Sequence, residues 1–189
     1  KAWNDSRPSI CEAVDIFTAS TLAHATGARL YFPHVSSRLG LDAANTMKSK
    51  GAEIFVETCP HYLSFTDSSP AGILAKVNPP LRATDDQDFL WDAVSSGDID
   101  TMGTDHATYQ RYQKENGGLW DSYPGFGSLG LTLPPLINDG IHKDRVTWEK
   151  IAEITAETPA RLFGMGPRKG TLLPGSDADV AIVHPDSEW

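Results

Sequence analysis

Cysteine is scarce in this chain of 189 residues. Cys11 and Cys59 stand far apart and form no C-x-x-C pair, which leaves no disulfide framework and points to a reduced, cytoplasmic setting. Long apolar runs are missing too. None approaches the ~20 residues that a membrane span needs, and no stretch has the form of a signal peptide, although the opening Lys1-Ala2-Trp3-Asn4 lacks a Met. Positive charge is short: 16 Lys and Arg face 25 Asp and Glu, a net charge of −9 that argues against nucleic acid or an anionic membrane as partner. No glycine-rich loop follows a strand, which removes the open-sheet nucleotide binder from contention. Internal repeats and low-complexity tracts are also absent.

What is present is a regular alternation. Ser9-Ile10-Cys11-Glu12 has the form of a capping box after Pro8. Ile10, Val14, Phe17, Thr21, Leu22 and Ala25 then recur at helical spacing until Gly27. Arg29 to His34 reads as a short strand, and Ser36 or Ser37 caps a helix that stops at Gly51. Glu53 to Cys59 is a second strand, halted by Pro60; Asp85 or Asp86 caps a helix that ends at Gly97, and Ile99 to Thr104 is a third strand. Strands alternating with helices predict a parallel sheet. The polar, aromatic loop after Asp105 is long for a compact domain and therefore functional in character. Helical patterns return at Leu129 to Asn138 and Thr147 to Glu157, and Ala178 to Val183 reads as a last strand belonging to a different sheet.

The strand ends carry the chemistry. His34-Val35-Ser36-Ser37, Glu57-Thr58-Cys59-Pro60-His61-Tyr62 and Asp105-His106 all emerge on one edge of a parallel sheet, where such folds keep their sites. A neutral imidazole and a carboxylate are ligand types of a hydrolytic zinc site, which polarises a carbonyl and acidifies a water. A carboxylate there also moves a proton. On spacing alone His34 reads equally as a hydrogen-bonded core histidine, and Asp105 as a helix cap or loop ion pair.

Five motifs in order narrow this: His34-Val35-Ser36-Ser37, Glu57-Thr58-Cys59-Pro60-His61-Tyr62-Leu63, Asn78-Pro79-Pro80-Leu81-Arg82, Gly103-Thr104-Asp105-His106, and Lys169-Gly170-Thr171-Leu172 followed by Pro174-Gly175-Ser176-Asp177-Ala178-Asp179. Together they resemble the cyclic amidohydrolases, namely hydantoinase (dihydropyrimidinase), allantoinase and dihydroorotase. The resemblance implies an α/β fold: the C-terminal part of a TIM-like (β/α)8 metal-dependent hydrolase barrel over residues 1–166, with strands six to eight. Residues 167–189 would be a connector and the return strand of a small β-sandwich domain. It implies two zinc ions per intact subunit, bridged by a carboxylated lysine outside this chain and by a hydroxide that attacks the ring carbonyl. His34 matches a ligand to the more exposed metal; Asp105 matches a ligand to the buried metal that also shuttles the proton. Asn78 and Gly125 match substrate-binding positions, although Asn78 also suits a turn and Gly125 a hinge. His61 reads as a packing residue near the site.

The resemblance is incomplete. The family's first-strand His-x-His, its bridging lysine and its fifth-strand histidine have no counterpart, so residues 1–189 are expected to be inactive and poor zinc binders alone. Gly127-Ser128-Leu129-Gly130 stands where relatives often carry a Glu. The expected substrate is a small cyclic ureide or imide of hydantoin, dihydropyrimidine or allantoin type, in a homo-oligomer (tetramer or dimer). Dihydroorotase is an alternative, as is a non-catalytic scaffold like the collapsin response mediator proteins.

Overall fold

Short apolar strands followed by capped helices build one parallel layer. The computed structural model describes residues 2–187; Lys1, Glu188 and Trp189, the outer ends of the two expected domains, lie outside it. After a short helix α1 (Ala2–Asp5) come α2 (Ser9–Thr26), β1 (Leu30–Phe32), α3 (Arg38–Ser49), β2 (Ile54–Thr58), α4 (Pro60–Ser64), α5 (Thr84–Ser96), β3 (Thr101–Met102) and α6 (Arg111–Glu115). Two further helical stretches, α7 (133–141) and α8 (148–162), each run through a π turn. The strands pair in parallel in the order β1-β2-β3, with Leu30 beside Ile54 and Glu57 beside Thr101. β3 is shorter than the expected Ile99–Thr104, but bonds from Asp100 N to Val56 O and from Gly103 N to Thr58 O carry its pairing past both ends.

The helix ends follow their local chemistry. Gly27 and Gly97 close α2 and α5 in the left-handed region that glycine adopts freely. Ser37 caps α3, its hydroxyl accepting from Gly40 N. Two expected caps are corrected. Glu12 does not fold back onto the start of α2; it crosses to Ser36, Ser37 and Arg82. Neither Asp85 nor Asp86 caps α5, which begins after Ala83; Asp86 instead accepts from Arg38 N at the start of α3. In both cases a buried or neighbouring donor outcompetes the local turn.

α2 also buries a different face from the one its periodicity suggests. Ala13, Ile16, Ser20 and Ala23 are buried, whereas Ile10, Val14, Phe17 and Leu22 are exposed. Small residues on the inner side let α2 lie close against α3, whose Gly40 leaves room for the Glu12 side chain. The expected strand at Ala178–Val183 forms no ladder in this structure. A strand requires a partner to take its N–H and C=O groups, and none of the described residues pairs with it; Val180 and Ile182 stand exposed.

The core lies between the sheet and its helices. Val56 and Ile54 point from β2 towards Leu41, Leu90, Trp91 and Ile99. Trp91 is 2% exposed and donates its indole N–H to Leu63 O at 3.0 Å. The long loop after Asp105 is held by two buried lysines as well as by aromatic contacts such as Trp120 on Trp3. Lys76 Nζ donates to the carbonyls of Leu119, Trp120 and Ser122, and lies 4.1 Å from the centre of the Trp3 ring. Lys114 Nζ donates to the carbonyls of Lys76 and Gly125.

Two outcomes follow from these contacts. Trp91→Ala should cost about 3–5 kcal/mol of unfolding free energy in denaturant titration; a loss under about 1 kcal/mol would contradict the packing described. Burial, with the Lys76 ammonium nearby, pushes the Lys114 ammonium down to about 8 from its ordinary 10.5. Between those values the unfolded chain binds a proton that the folded chain does not, so this group's contribution to stability rises with pH and is least favourable below about 8. Wild type should therefore gain stability relative to Lys114→Met in urea unfolding as pH climbs from about 7 to about 10, and a flat or falling difference would refute the assignment.

Candidate active site

The carboxyl ends of the three strands share one edge of the sheet, and the chain leaves two of them through the same unusual turn. His34 has φ 44° and Asp105 has φ 45°; among the described residues only Asp144 joins them as a non-glycine in the left-handed region. Such a conformation costs on the order of 1–3 kcal/mol and persists where surrounding bonds enforce it. Here they do. Val35 N donates to Glu57 O at 2.8 Å, Thr58 Oγ1 donates to Val35 O at 2.8 Å, and Gly103 N donates to Thr58 O at 3.0 Å. These bonds lace the exits of β1 and β3 to the end of β2.

Glu57 lies under both turns. Its carboxylate accepts from Tyr31 OH at 2.6 Å and from His34 N at 3.4 Å, and Tyr31 OH also meets Thr101 Oγ1 at 2.6 Å. A Cβ on Gly103 would fall 2.2 Å from the Glu57 carboxyl carbon, so glycine lets β3 lie against this side chain without displacing its carboxylate, two residues before Asp105. Burial and the Glu57 carboxylate push the Tyr31 hydroxyl well above its usual range, and burial, Glu57 and Asp105 do the same to the Cys59 thiol. Neither is a nucleophile at neutral pH. The sequence motifs contain Glu57 but give it no role of its own. Its signal was strand parity: Ile54, Val56 and Thr58 are buried under the helices, which turns Phe55 and Glu57 to the opposite face.

His34 and Asp105 are partly exposed and lie within electrostatic reach. Burial pushes the Asp105 carboxyl up, and the charge of His34 pulls it back. His34 also shares a cavity of about 420 Å³ with exposed Asn78, along with Pro33, Pro79 and Pro80. Gly125 is not part of that cavity. It is buried with φ 129°, and a Cβ there would meet Ala107 Cβ at 2.6 Å. Its N–H already donates to Lys76 O, and its carbonyl accepts from Lys114 Nζ. One lone pair of that carbonyl is all that Gly125 retains for another molecule.

The remaining histidines separate cleanly. His61 is buried, its ring 4.2 Å from that of Tyr62 and 5.3 Å from that of Phe126, and neither ring nitrogen has a hydrogen-bond partner. Burial and the charge of His34 push it down to about 3, so it is a neutral packing group. The Nδ1 atom of His106 accepts from Ser128 N and Leu129 N, both at 2.9 Å, which puts its proton on Nε2 and occupies it in holding the end of the loop. Among the described residues no group of three or more His, Cys, Asp and Glu side chains could hold a metal ion. One imidazole and one carboxylate at the ends of the two strands that flank β2 are the right donor types for a hydrolytic metal centre, but fall short of the three protein ligands that such a centre uses.

With that geometry in view, the relatives are consistent. The amidohydrolase family model matches residues 9–189. D-phenylhydantoinases of Escherichia coli O139:H28 (strain E24377A / ETEC) and Shigella boydii serotype 4 (strain Sb227) are each 40% identical over 187 residues, covering 95% of this chain and 41% of theirs. The dihydropyrimidinase of Brevibacillus agri NCHU1002 superposes with a TM-score of 0.89 at 31% identity, over 94% of this chain and 40% of its own. L-Hydantoinase of Arthrobacter aurescens does so with 0.86 at 36% identity, over 90% and 39%. The chain thus spans about two-fifths of the length of these relatives and shares their α/β fold. A parallel sheet with strained His34 and Asp105 at its edge, matched across 9–189, places the chain in the amidohydrolase family.

Proposed function

We propose that the native protein containing this chain is a metal-dependent hydrolase that opens the ring of a small cyclic ureide or imide at a non-peptide C–N bond. The observation that carries the reading is the pair of left-handed turns presenting His34 and Asp105 from β1 and β3, in a chain 40% identical to D-phenylhydantoinases. Hydantoins and dihydropyrimidines suit it best, with an allantoin-type ring next. Residues 1–166 would form the last strands of a TIM-like barrel and residues 167–189 the start of a small β-domain. A homo-oligomer in the cytoplasm is part of the same reading.

His34 and Asp105 would hold the metal, zinc by donor type, together with further ligands from outside these residues, a carboxylated lysine among them. The bound metal would polarise the ring carbonyl and supply an acidified water. Asp105, a carboxylate at the strand end beside the metal, would take up the proton of the attacking water and return it to the departing ring nitrogen. Its strained backbone fixes where that proton is carried. Asn78, which lines a cavity together with His34, would hydrogen-bond the ring amide. Gly125 contributes its free carbonyl lone pair at most, and its first role is to let the loop pass close to Ala107. The presence of both His34 and Asp105 favours the enzyme over a scaffold.

In the full-length protein, Asp105→Asn should lower kcat/KM for hydantoin or dihydrouracil by about 10²–10⁴, and His34→Ala should lower zinc content by elemental analysis along with turnover. Absence of hydantoin, dihydrouracil and allantoin turnover in the wild type would overturn the reading, as would an Asp105→Asn variant within about threefold of it.

A further inference from the structure

The two buried lysines do work that the reaction itself does not explain. Lys76 is 5% exposed and Lys114 is 7% exposed, and among the described residues neither forms an ion pair with a carboxylate, although the charge of Asp121 reaches Lys76. A buried ammonium without compensation is costly, yet each here is satisfied by main-chain carbonyls. Lys76 gathers Leu119, Trp120 and Ser122, while Lys114 gathers Lys76 and Gly125. The Lys76 carbonyl accepts twice, from Lys114 Nζ and from Gly125 N at 2.9 Å. The residue that closes one end of the loop thus also fixes the other.

The same loop is tied to the Asp105 turn at its exit. Ala107 N donates to Phe126 O at 2.7 Å, Ser128 Oγ donates to Thr104 O at 2.6 Å, and the His106 ring accepts from Ser128 and Leu129. Residues 107–127 therefore form a closed loop pinned at its neck by the Asp105-His106 turn and filled by two cations. The aromatic side chains bury little of themselves: Tyr109, Tyr112, Trp120 and Tyr123 are exposed, with Trp120 resting on Trp3 at 5.8 Å and Tyr109 on Tyr123 at 4.9 Å between ring centres. A loop that presents aromatic side chains outward and orders itself from within is suited to gripping a ring or its substituent without paying an ordering cost at binding.

We propose that Lys76 and Lys114 are positioning residues for substrate: by saturating the inward carbonyls of residues 119–125, they hold the loop in its binding shape before any substrate arrives. The assignment rests on the hydrolase reading for the identity of the substrate, but the preorganisation does not. Removing a cation leaves buried carbonyls without donors, and the loop loosens while His34 and Asp105 keep their places.

The test uses the full-length protein and hydantoin. Lys114→Met should raise KM about tenfold or more with kcat within about threefold and zinc content unchanged, the pattern of lost binding rather than lost chemistry. Lys114→Arg, whose guanidinium also donates to carbonyls, should recover part of the KM. Chymotrypsin should cut Lys114→Met faster than wild type at Tyr112 or Trp120. An unchanged KM with unchanged cleavage would overturn the proposal, as would a fall in kcat and zinc content together with KM left alone. Should Lys114→Met fail to fold, hydrogen exchange on the wild type without ligand decides: the Gly125 amide should be protected, and exchange there at the rate of an unfolded chain would overturn the proposal. That arm and the proteolysis stand even if no cyclic amide is hydrolysed, so failure of the hydrolase reading is told apart from failure of the clamp.

Discussion

A carboxylate on α2, removed from water, fixes the geometry on which the candidate site depends. Glu12 accepts from Ser36 N at 2.8 Å, from Ser36 Oγ at 3.1 Å and from the Ser37 hydroxyl, while Arg82 lies 3.8 Å away and donates to Ser36 Oγ at 3.0 Å. Burial raises its carboxyl above the usual range, and these donors work against that rise. A buried charge stripped of its partners costs several kcal/mol, so the four groups hold one another in place. The consequence is spatial: the segment after His34, the first turn of α3 and the Asn78–Arg82 loop are locked to one helix.

That lock explains how strain is sustained at the sheet edge. His34 precedes the clamped Val35-Ser36-Ser37 segment and follows Pro33, so its backbone is held on both sides. Asp105 is held from below by the Glu57–Gly103 contact and from behind by Ser128 Oγ on Thr104 O. Parallel pairing alone brings strand ends to a common edge; it does not orient the side chains there. Orientation comes from the polar groups one step away, Glu12 under β1 and Glu57 beneath both turns.

The loop after Asp105 obeys a different economy. An apolar plug would order it with dispersion and burial, but would leave its inward carbonyls without donors in a dry interior. Two ammonium groups answer several carbonyls at once, and a cation over Trp3 and another near Phe126 add aromatic contact. The aromatic rings are thereby released to the surface.

Local chemistry made much of this legible in the amino-acid sequence: the βα alternation, the stops at Gly27, Gly51 and Gly97, the Ser37 cap, and His34 and Asp105 as strand-end residues. Periodicity and turn preferences act over a few residues, so they need no knowledge of the rest of the chain. They misled where a distant partner outbid a near one, as at Glu12, Asp86 and the exposed side of α2, and at Ala178–Val183, where none of the described residues offers a strand to pair with. Only the tertiary structure decided that Gly125 spends its N–H on Lys76, that His106 serves a loop, and that Glu57 joins both turns. Each of these is a contact between residues many positions apart, settled by which donors and acceptors are left together once water is excluded, and no local pattern encodes that.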